Sequence, residues 1–316
     1  MNLLVTGASG FVGAALVGKL DPIMVKALGR DLPDNFPESK FYQQDINSTN
    51  CYSEALSNVD IIVHLAARVH AMHEVEANPI ELYREVNSRG TNNLARQAAK
   101  AGVKRFVFVS SIKVNGEGTK PNVPFTSADD RAPQDDYGLS KAEAEKELYA
   151  IGDETGMEVV IIRPTLVYGP GVKANFASLM NFVSKGIPLP FGCIKDNRRS
   201  LVSVMNLVDL IVTCIDHPKA ANQTFLVSDD NDVSTSEMVA QMAKALGKPQ
   251  WQLPIPKWCY RLTGKLLGKQ DVVDRLLGAL QVDITHTKQT LNWTPPQSLE
   301  DGFRETAQAF LQSKKK

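Results

Sequence analysis

Short apolar runs alternate with amphipathic stretches through the first half of the chain. The apolar runs are continuous and rich in β-branched residues, as in NLLVTG, VDIIVHLAA, RFVFVSS and EVVIIRPTLVYG. The stretches between them, such as NLARQAAKAGV and SKAEAEKELYAIG, have the composition and spacing of helices. Strands that are apolar on both faces are typical of a parallel sheet that helices cover on both sides. The pattern therefore predicts an α/β fold with a doubly wound parallel sheet.

The pattern changes at about Pro170. NFASLMNFVSKG predicts a helix and RRSLVSV a short strand, while NLVDLIVTCIDH and QTFLVSD predict one more helix and strand that return to the sheet. The last part of the chain is mostly helical. We therefore predict a sheet domain over residues 1–169, to which residues 204–230 return, and a smaller, mostly helical lobe formed by residues 170–203 and 231–316.

Composition argues against several classes of function. The 316 residues carry 35 Lys and Arg against 35 Asp and Glu, so the chain lacks the basic excess that sequence-independent nucleic-acid binding needs. No apolar run approaches the roughly 18 residues of a membrane span, and the N-terminus does not resemble a secretory signal. We expect a cytoplasmic protein with no nucleic-acid or membrane partner. The cysteines lack paired spacing, which predicts buried thiols rather than a metal site or disulfides: Cys51, Cys193, Cys214 and Cys259.

Three glycines stand where the first predicted strand turns into the first helix. LLVTGASGFVGAAL contains Gly7, Gly10 and Gly13. A dinucleotide requires a tight turn there, a backbone close enough to touch its pyrophosphate, and free N–H groups at a helix N-terminus. The spacing GxxGxxG differs from the GxGxxG fingerprint, but it lies at the first βα turn of a predicted parallel sheet. We therefore predict that a dinucleotide cofactor binds at this loop.

A tyrosine and a lysine follow, four positions apart, in YGLSK. Tyr137 and Lys141 would share one helical face and reach a common site. An ammonium close to a phenol lowers its pKa from near 10, which suits the pair to acid–base chemistry. Taken alone, the pair is more typical of an exposed helix surface.

A wider set of motifs changes that interpretation. The loop TGASGFVG is followed in order by QDI at 44–46, HLAA at 64–67, Asn87 with GT behind it, SS at 110–111, YGLSK and RPTLVYGPG. In this order and spacing, through Gly171, the chain resembles the extended short-chain dehydrogenase/reductases, and among them the NAD(P)-dependent nucleotide-sugar epimerases, dehydratases and reductases. The resemblance implies a Rossmann domain that binds the dinucleotide and a second lobe that binds the substrate.

The resemblance also implies the cofactor contacts. In such relatives Asp45 and Ile46 lie by the adenine, Leu65 to Ala67 of HLAA form a wall beside the middle of the cofactor, and Asn87 lies in the helix under the nicotinamide half. The implied cofactor residues are Gly7, Ser9, Gly10, Phe11, Val12, Gly13, Arg30, Asp45, Ile46, Leu65, Ala66, Ala67, Asn87, Tyr137, Lys141 and Pro164.

Three catalytic residues follow from the same resemblance. Tyr137 would be the general acid or base at the sugar hydroxyl or carbonyl, and Lys141 would lower its pKa and bind the nicotinamide ribose. A serine at the end of RFVFVSS would polarise the same sugar oxygen. We assign this role to Ser111 rather than Ser110, because alternation along a strand turns them to opposite faces and the spacing to the tyrosine in relatives favours the second.

Relatives hold the substrate nucleotide with an asparagine that opens the helix after YGPG and with an arginine in the next strand. Asn175 and Arg199 occupy these places, and Arg198 competes with Arg199. A guanidinium suits a diphosphate because it makes paired hydrogen bonds. Arg275 is the substitute for a C-terminal basic motif that the chain lacks. The loop KVNGEG has two polar residues that could line the sugar pocket or lie on a polar surface: Lys113 and Asn115.

The end of the second predicted strand bears on the choice of cofactor. A carboxylate there would bind the ribose hydroxyls of NAD and repel a 2′-phosphate, but Gly29 stands at this place and Arg30 follows it. The sequence therefore favours NADP(H). NAD(H) is the alternative, because Asp31 could still reach the ribose.

Two reactions use the same catalytic residues. SSIKVNGE and PLPFGCIKDNRRSLVSVMNLVDLI most resemble a branch that contains reductases of UDP-4-keto-6-deoxyhexosamines beside 4-epimerases. Because a net reduction draws on the reduced NADP pool, we predict a reductase of a UDP-4-keto-6-deoxyhexosamine, with UDP-hexose 4-epimerisation as the alternative. A non-catalytic dinucleotide-sensing protein is an alternative of another class, but such proteins lack the tyrosine or the lysine. A UDP-sugar is the expected ligand and a homodimer the expected assembly.

Overall fold

The computed structural model describes residues 1–69, 78–120 and 122–314. The strands are β1 (Leu3–Thr6), β2 (Val25–Gly29), β3 (Phe41–Gln43), β4 (Ile61–His64), β5 (Arg105–Val109), β6 (Glu158–Pro164), β7 (Leu166–Tyr168), β8 (Leu201–Ser203) and β9 (Gln223–Val227). The helices are α1 (Phe11–Val17), α2 (Ser53–Leu56), α3 (Pro79–Tyr83), α4 (Thr91–Lys100), α5 (Asp136–Thr155), α6 (Ala174–Ser184), α7 (Val204–Asp216), α8 (Thr235–Ala245), α9 (Lys257–Leu266), α10 (Gln270–Leu277), α11 (Thr285–Leu291) and α12 (Leu299–Ser313). A π-helical turn over Arg84–Gly90 joins α3 to α4.

Seven of these strands form one parallel sheet in the order β3-β2-β1-β4-β5-β6-β9. The chain changes direction across the sheet between β1 and β4, so the carboxyl ends of these two strands open the crevice where doubly wound sheets bind their ligands. The predicted doubly wound parallel sheet is confirmed. β7 and β8 form a separate parallel pair.

Apolar side chains fill both faces of the large sheet, which explains why its strands are continuous apolar runs. One face packs against α1 and α7 through a buried cluster that includes Leu16, Val107, Leu207, Ile211 and Phe225. The other face packs against α2, α4 and α5 through Leu4, Ile62, Phe106, Leu148 and Ile161. α7 and β9 therefore return to the sheet, although the division of the chain into two lobes stays a prediction.

A third buried cluster lies outside the sheet and joins the end of β7 to α6, α8 and α12. Tyr168 forms a cluster of three rings with Phe176 and Phe303, whose centroids lie 5.5 and 4.9 Å from its own. Its hydroxyl donates to Asp229 Oδ2 at 2.7 Å, so the polar end of this buried ring is satisfied. This core holds the helical part of the chain beside the crevice.

Two smaller features complete the description. Among the residues that the structure covers, no helix is long and apolar enough to cross a membrane. The prediction that all four thiols are buried is wrong for Cys51, which is exposed, whereas Cys214 is buried. Cys51 lies in the turn before α2, where only the following residue, Tyr52, enters the core.

Candidate active site

The glycine loop lies at the carboxyl end of β1, beside the segment that follows β4. Gly7 has a φ of +69°, and a Cβ at this position would lie 2.7 Å from the Ala66 backbone nitrogen. A Cβ on Gly13 would lie 2.1 Å from the Gly7 carbonyl oxygen. A side chain at either glycine would push the loop away from its neighbours, so both glycines are needed for β1, α1 and the β4 segment to pack together.

This backbone cradle fits the pyrophosphate of a dinucleotide. Gly10 precedes α1 in an extended conformation, and no side chain caps the helix. The Gly10 N–H donates to the Gly7 carbonyl at 3.0 Å and closes the turn. Ser9 is exposed at the tip of the loop, while Phe11 and Val12 are half-buried in the first turn of the helix. Backbone N–H groups of this segment would hold the phosphates.

A buried chain of hydrogen bonds ties the ends of β1 and β4 to the start of α4. The Thr91 hydroxyl donates to the Asn87 carbonyl at 2.8 Å, so its oxygen accepts from His64 Nε2 at 2.9 Å. His64 Nδ1 then accepts from the Thr6 hydroxyl at 2.7 Å, and the Thr6 oxygen accepts the Ala66 N–H at 3.2 Å. Burial lowers the pKa of His64 to about 3, which keeps the ring neutral, as this direction of donation requires.

Asn87 extends the chain to helix α5. Its side-chain oxygen accepts the Arg68 N–H at 2.8 Å, and its amide nitrogen donates to the Arg68 carbonyl and to Ser140 Oγ, both at 3.0 Å. The Ser140 hydroxyl donates to the Tyr137 carbonyl at 2.8 Å. Asn87 lies in the π-helical turn, a distortion that is frequent at functional sites. It thereby fixes the wall after β4 relative to the first turn of α5.

Tyr137 stands in the first turn of α5. The Asp135 carboxylate caps this helix by accepting the Gly138 N–H at 2.7 Å. The Tyr137 side chain is half-buried and meets the Tyr83 ring edge-on, with centroids 6.3 Å apart. Burial raises the pKa of Tyr137, and the charges of Asp135 and Tyr83 act in the same direction. In this environment the phenol stays protonated unless a cation acts on it.

Lys141 lies one turn further along α5 and is almost completely buried, with 1% of its surface exposed. Its ammonium donates to the Val109 carbonyl at 2.9 Å and lies 4.3 Å from the centroid of the Phe108 ring. Burial lowers the pKa of Lys141 to about 7, although Glu145 acts in the opposite direction. A buried lysine with a pKa so far from its usual range is typical of a functional site.

The two serines after β5 have different surroundings. Ser110 is buried, and its hydroxyl donates to the Glu145 carboxylate at 2.7 Å. Glu145 also forms a two-point ion pair with Arg163, with Nε–Oε1 and Nη2–Oε2 distances of 2.9 and 2.5 Å. Ser111 is half-buried and caps a short turn by accepting the Lys113 N–H at 3.2 Å. Because Ser110 belongs to the ion-pair network, the arrangement supports the assignment of Ser111.

A cavity of about 730 Å³ opens in front of Tyr137, and we refer to it as the Tyr137 cavity. Its walls include Pro79, Tyr83, Lys113, Glu117, Asp135, Asp136, Asp274 and Arg275. Sequence reasoning identified Tyr137 and Arg275 and left Lys113 open, but it missed Tyr83 and the acidic residues. The signal for two of them was present, since DDYGLSK places a carboxylate where the helix needs a cap.

The predicted substrate residues are only partly brought together. Arg275 lines the Tyr137 cavity. The Arg199 guanidinium donates to the backbone carbonyls of Arg275 and Gly278. It therefore binds the C-terminal end of α10. Arg198 forms an exposed ion pair with Glu237 at 2.6 Å. Asn175 is exposed in the first turn of α6 and is not among the residues of the cavity wall.

The two residues of the KVNGEG loop whose roles the sequence left open, Lys113 and Asn115, have different surroundings. Lys113 lines the Tyr137 cavity, and its ammonium pairs with Glu117 at 3.0 Å and with Asp135. Asn115 is buried and accepts from Arg163 Nη1 at 2.9 Å, so it belongs to the ion-pair network and not to the cavity.

The remaining predicted cofactor residues surround the crevice. Arg30 and Asp45 face each other with Nε and Oδ1 4.0 Å apart, and both side chains are largely exposed. Nothing lies within 4 Å of a Cβ built at Gly29, so this corner is open. Ile46 and Pro164 are buried, while the wall after β4 is half-buried: Leu65, Ala66 and Ala67.

Comparison with known proteins agrees with this geometry. The model of the NAD dependent epimerase/dehydratase family matches residues 3–228. The chain belongs to this family. The predicted resemblance to extended short-chain dehydrogenase/reductases that act on nucleotide sugars is confirmed, as is the prediction of an NAD(P)-dependent enzyme.

Relatives of this epimerase/dehydratase family member cover its full length. UDP-glucose 4-epimerase of Vibrio cholerae is 62% identical over 315 residues, which are 99% of this chain and 96% of the relative. An N-acetyl-alpha-D-glucosaminyl-diphospho-ditrans,octacis-undecaprenol 4-epimerase of Escherichia coli O157:H7 is 28% identical, covering 99% and 97%.

Solved structures show the same fold. UDP-glucose 4-epimerase of Thermotoga maritima, crystallised with UDP-glucose, has a TM-score of 0.75 at 22% identity and covers 99% of both chains. UDP-glucuronic acid 4-epimerase from Bacillus cereus, in complex with NAD, has a TM-score of 0.79 at 19% identity with the same coverage.

The prediction of a reductase of a UDP-4-keto-6-deoxyhexosamine is wrong. The full-length relative at 62% identity is a UDP-glucose 4-epimerase, which favours the alternative. The physical reason for the error is that both reactions transfer hydride at C4 with the same acid–base residues. Gly29 and Arg30 concern the adenosine end of the cofactor and carry no information about the direction of hydride transfer.

Proposed function

We propose that this protein is a UDP-hexose 4-epimerase of the UDP-glucose type. The observation that carries the proposal is its 62% identity, over 99% of the chain, with UDP-glucose 4-epimerase of Vibrio cholerae. The site supports it, because a tyrosine and a buried lysine stand one turn apart on α5 and a glycine loop follows β1. The Tyr137 cavity beside them has the size of a site for a small polar ligand.

In the proposed reaction Tyr137 moves the proton at the sugar O4. It removes the hydroxyl proton as hydride leaves C4, and it returns the proton when hydride comes back to the opposite face of the ketone. Ser111 donates a hydrogen bond to O4 and stabilises the negative charge that develops there. The oxidised cofactor, when bound, supplies the hydride acceptor and a positive charge in the crevice.

The half-buried position of Tyr137 beside Asp135 explains why a cation is needed. Burial raises the pKa of Tyr137, so its phenolate forms near neutral pH only with help from a cation. Lys141 lies on the same face of α5 one turn away and is the cation that the helix itself supplies.

An epimerase must let the ketone intermediate rotate in the site without releasing it. The Tyr137 cavity leaves room for the sugar to rotate about its bond to the diphosphate. We assign the diphosphate contact to Arg275, whose α10 backbone is held by Arg199, and a nucleotide contact to Asn175 at the start of α6. A diphosphate held at the rim while the sugar turns is the requirement that distinguishes epimerisation from a single hydride transfer.

The family is NAD-dependent. The preference between NAD(H) and NADP(H) depends on the residues at the carboxyl end of β2. Gly29 offers no side chain there, and Arg30 is exposed with Asp45 as its partner at 4.0 Å. The open space and the guanidinium favour a 2′-phosphate, so the preference for NADP(H) stays a prediction. The homodimer likewise stays a prediction.

The decisive experiment uses the purified full chain with UDP-glucose and no added reductant. We expect UDP-galactose to form, as seen by proton NMR of the anomeric region, without lasting change in absorbance of the reduced cofactor. Nucleotide released by heating the protein would identify the bound cofactor. Stoichiometric consumption of NADPH by a 4-keto sugar, with no interconversion of UDP-hexoses, would contradict the proposal.

A further inference from the structure

Helix α9 presents an apolar row to solvent. Trp258, Leu262 and Leu266 are 64, 51 and 76% exposed and recur at every fourth position. Side chains four residues apart on a helix drift by only about 40°, so these three cover one side of it. Trp251 before the helix and Leu267 after it are also exposed, at 75 and 66%. An exposed apolar row of this kind marks an interaction site.

A row of cations runs beside the apolar row. Lys257, Arg261 and Lys265 each precede one of the three apolar residues, and Lys269 continues the series. Lys257 pairs with Asp196 at 2.7 Å, whereas the other three are exposed. Residues 238–270 contain six Lys and Arg and no Asp or Glu, in a chain with a formal net charge of zero. The exposed side of α9 is therefore half apolar and half cationic.

We propose that α9 lies in the surface of an anionic lipid bilayer. A helix that carries Trp and Leu on one side and Lys and Arg beside them buries the apolar side at the boundary of headgroups and acyl chains. Each cation near an anionic leaflet adds to the attraction. The sequence-based expectation of no membrane partner rested on the lack of a spanning segment, and a helix lying in the interface needs no such segment.

Charge favours a bilayer over a second copy of the chain as the occupant of this surface. In a two-fold symmetric pair the same surface of both subunits faces itself, so one interface would contain both cationic rows. With no carboxylate between residues 238 and 270, such a contact would bring like charges together. An anionic leaflet would bind both parts of the surface, since its acyl chains would cover the apolar row and its headgroups would attract the cationic row.

This contact would bear on the active site, although it does not rest on the proposed function. α9 packs closely on α10, since a Cβ at Gly264 would lie 2.7 Å from Val273 Cγ2. The far end of α10 carries Asp274 and Arg275, which line the Tyr137 cavity. Between the two helices lies an apolar groove of about 330 Å³, whose walls include Leu267 and Val272. Bilayer binding would therefore place one wall of the Tyr137 cavity at the membrane surface.

The tryptophans provide a direct test on the intact protein. Trp258 is exposed on this surface and Trp251 is exposed just before it in the chain, whereas Trp293 is buried and donates to Asp209 at 2.9 Å. Addition of phosphatidylglycerol vesicles should shift the fluorescence to the blue, and brominated acyl chains should quench it. Phosphatidylcholine vesicles should do neither. Light scattering of the protein without lipid measures self-association. Self-association that accounts for the blue shift would overturn the proposal.

Two variants with matched controls separate the two halves of the surface. Arg261→Glu with Lys265→Glu should weaken sedimentation with anionic vesicles by about tenfold or more, from the loss and reversal of two charges. Trp258→Ser should weaken sedimentation with anionic vesicles, and any quenching by brominated lipid that remains should come from Trp251. The controls are Lys100→Glu with Lys219→Glu and Phe182→Ser, which change exposed residues elsewhere. Equal weakening by variants and controls, or no binding of the unmodified protein to anionic vesicles, would overturn the proposal.

Discussion

Replacing Lys141 by methionine should stop turnover and at the same time stabilise the fold at neutral pH. The lysine is buried to 1% exposure, and its ammonium is held by the Val109 carbonyl at 2.9 Å and the Phe108 ring. These contacts do not compensate for lost hydration, because burial still lowers the pKa of Lys141 from 10.5 to about 7. The native structure therefore carries a free-energy cost, which the catalytic role proposed for Lys141 would explain.

The magnitude follows from linkage between protonation and folding. At about 1.4 kcal/mol for each pH unit, a fall from 10.5 to about 7 corresponds to roughly 5 kcal/mol, taken as an upper value. Between these two pH values the unfolded chain binds more protons than the folded one, so the stability of the unmodified protein rises with pH. Methionine has a similar length and carries no charge. We expect the variant to be more stable by roughly 2–4 kcal/mol near pH 7, and this gain should shrink towards pH 10.

The assay is urea unfolding of the cofactor-free protein at several pH values, followed by circular dichroism. Lys100→Met is the matched control, because Lys100 is exposed at the end of α4 and its replacement should leave the pH dependence unchanged. A Lys141→Met variant that is less stable than the unmodified protein at neutral pH, or whose advantage is the same at all pH values, would refute the reasoning.

Three further predictions concern other parts of the site. Tyr137→Phe should lower kcat about 100-fold or more while the Tm changes by no more than about 2 °C, and retention of most of the activity would contradict its role as acid and base. Arg30→Asp should weaken NADP⁺ binding about tenfold or more by calorimetry and leave NAD⁺ binding unharmed, whereas equal effects on both would remove the role given to Arg30. Glu145→Gln leaves the buried Arg163 guanidinium without its carboxylate and should cost about 3–5 kcal/mol in urea unfolding. The matched change Glu143→Gln, in a partly exposed pair, should cost about 1 kcal/mol or less, and equal costs would argue against the network.

The sheet could be predicted from the sequence because its strands are buried on both faces. A strand with no polar face appears as an uninterrupted apolar run, and EVVIIRP, which forms β6, is an example. The exposure of the Cys51 thiol could not be predicted in this way, because in a short connection the exposure of one residue depends on which of its neighbours enters the core.

The local parts of the site could also be predicted, because a glycine loop and a tyrosine–lysine pair are defined by spacing along one element. Contacts between distant segments could not. The buried chain through Thr6, His64, Thr91 and Asn87 joins residues that lie up to 85 positions apart, and each of them alone is an ordinary polar residue. Asn115 shows the same limit, because its burial against Arg163 depends on how β6 approaches the loop after β5.

The two hydrogen-bond systems around α5 explain how a site on one helix is held in place from both sides. On the cofactor side, Asn87 binds Ser140, whose hydroxyl bonds the Tyr137 carbonyl. On the other side, Glu145 binds Ser110 at the end of β5, directly before Ser111. Both systems are buried and made of short polar contacts, which cost free energy if any member moves away from its partner. The positions of Tyr137 and Ser111 are therefore fixed by residues that never touch the sugar, and the Glu145→Gln variant should change kcat as well as stability.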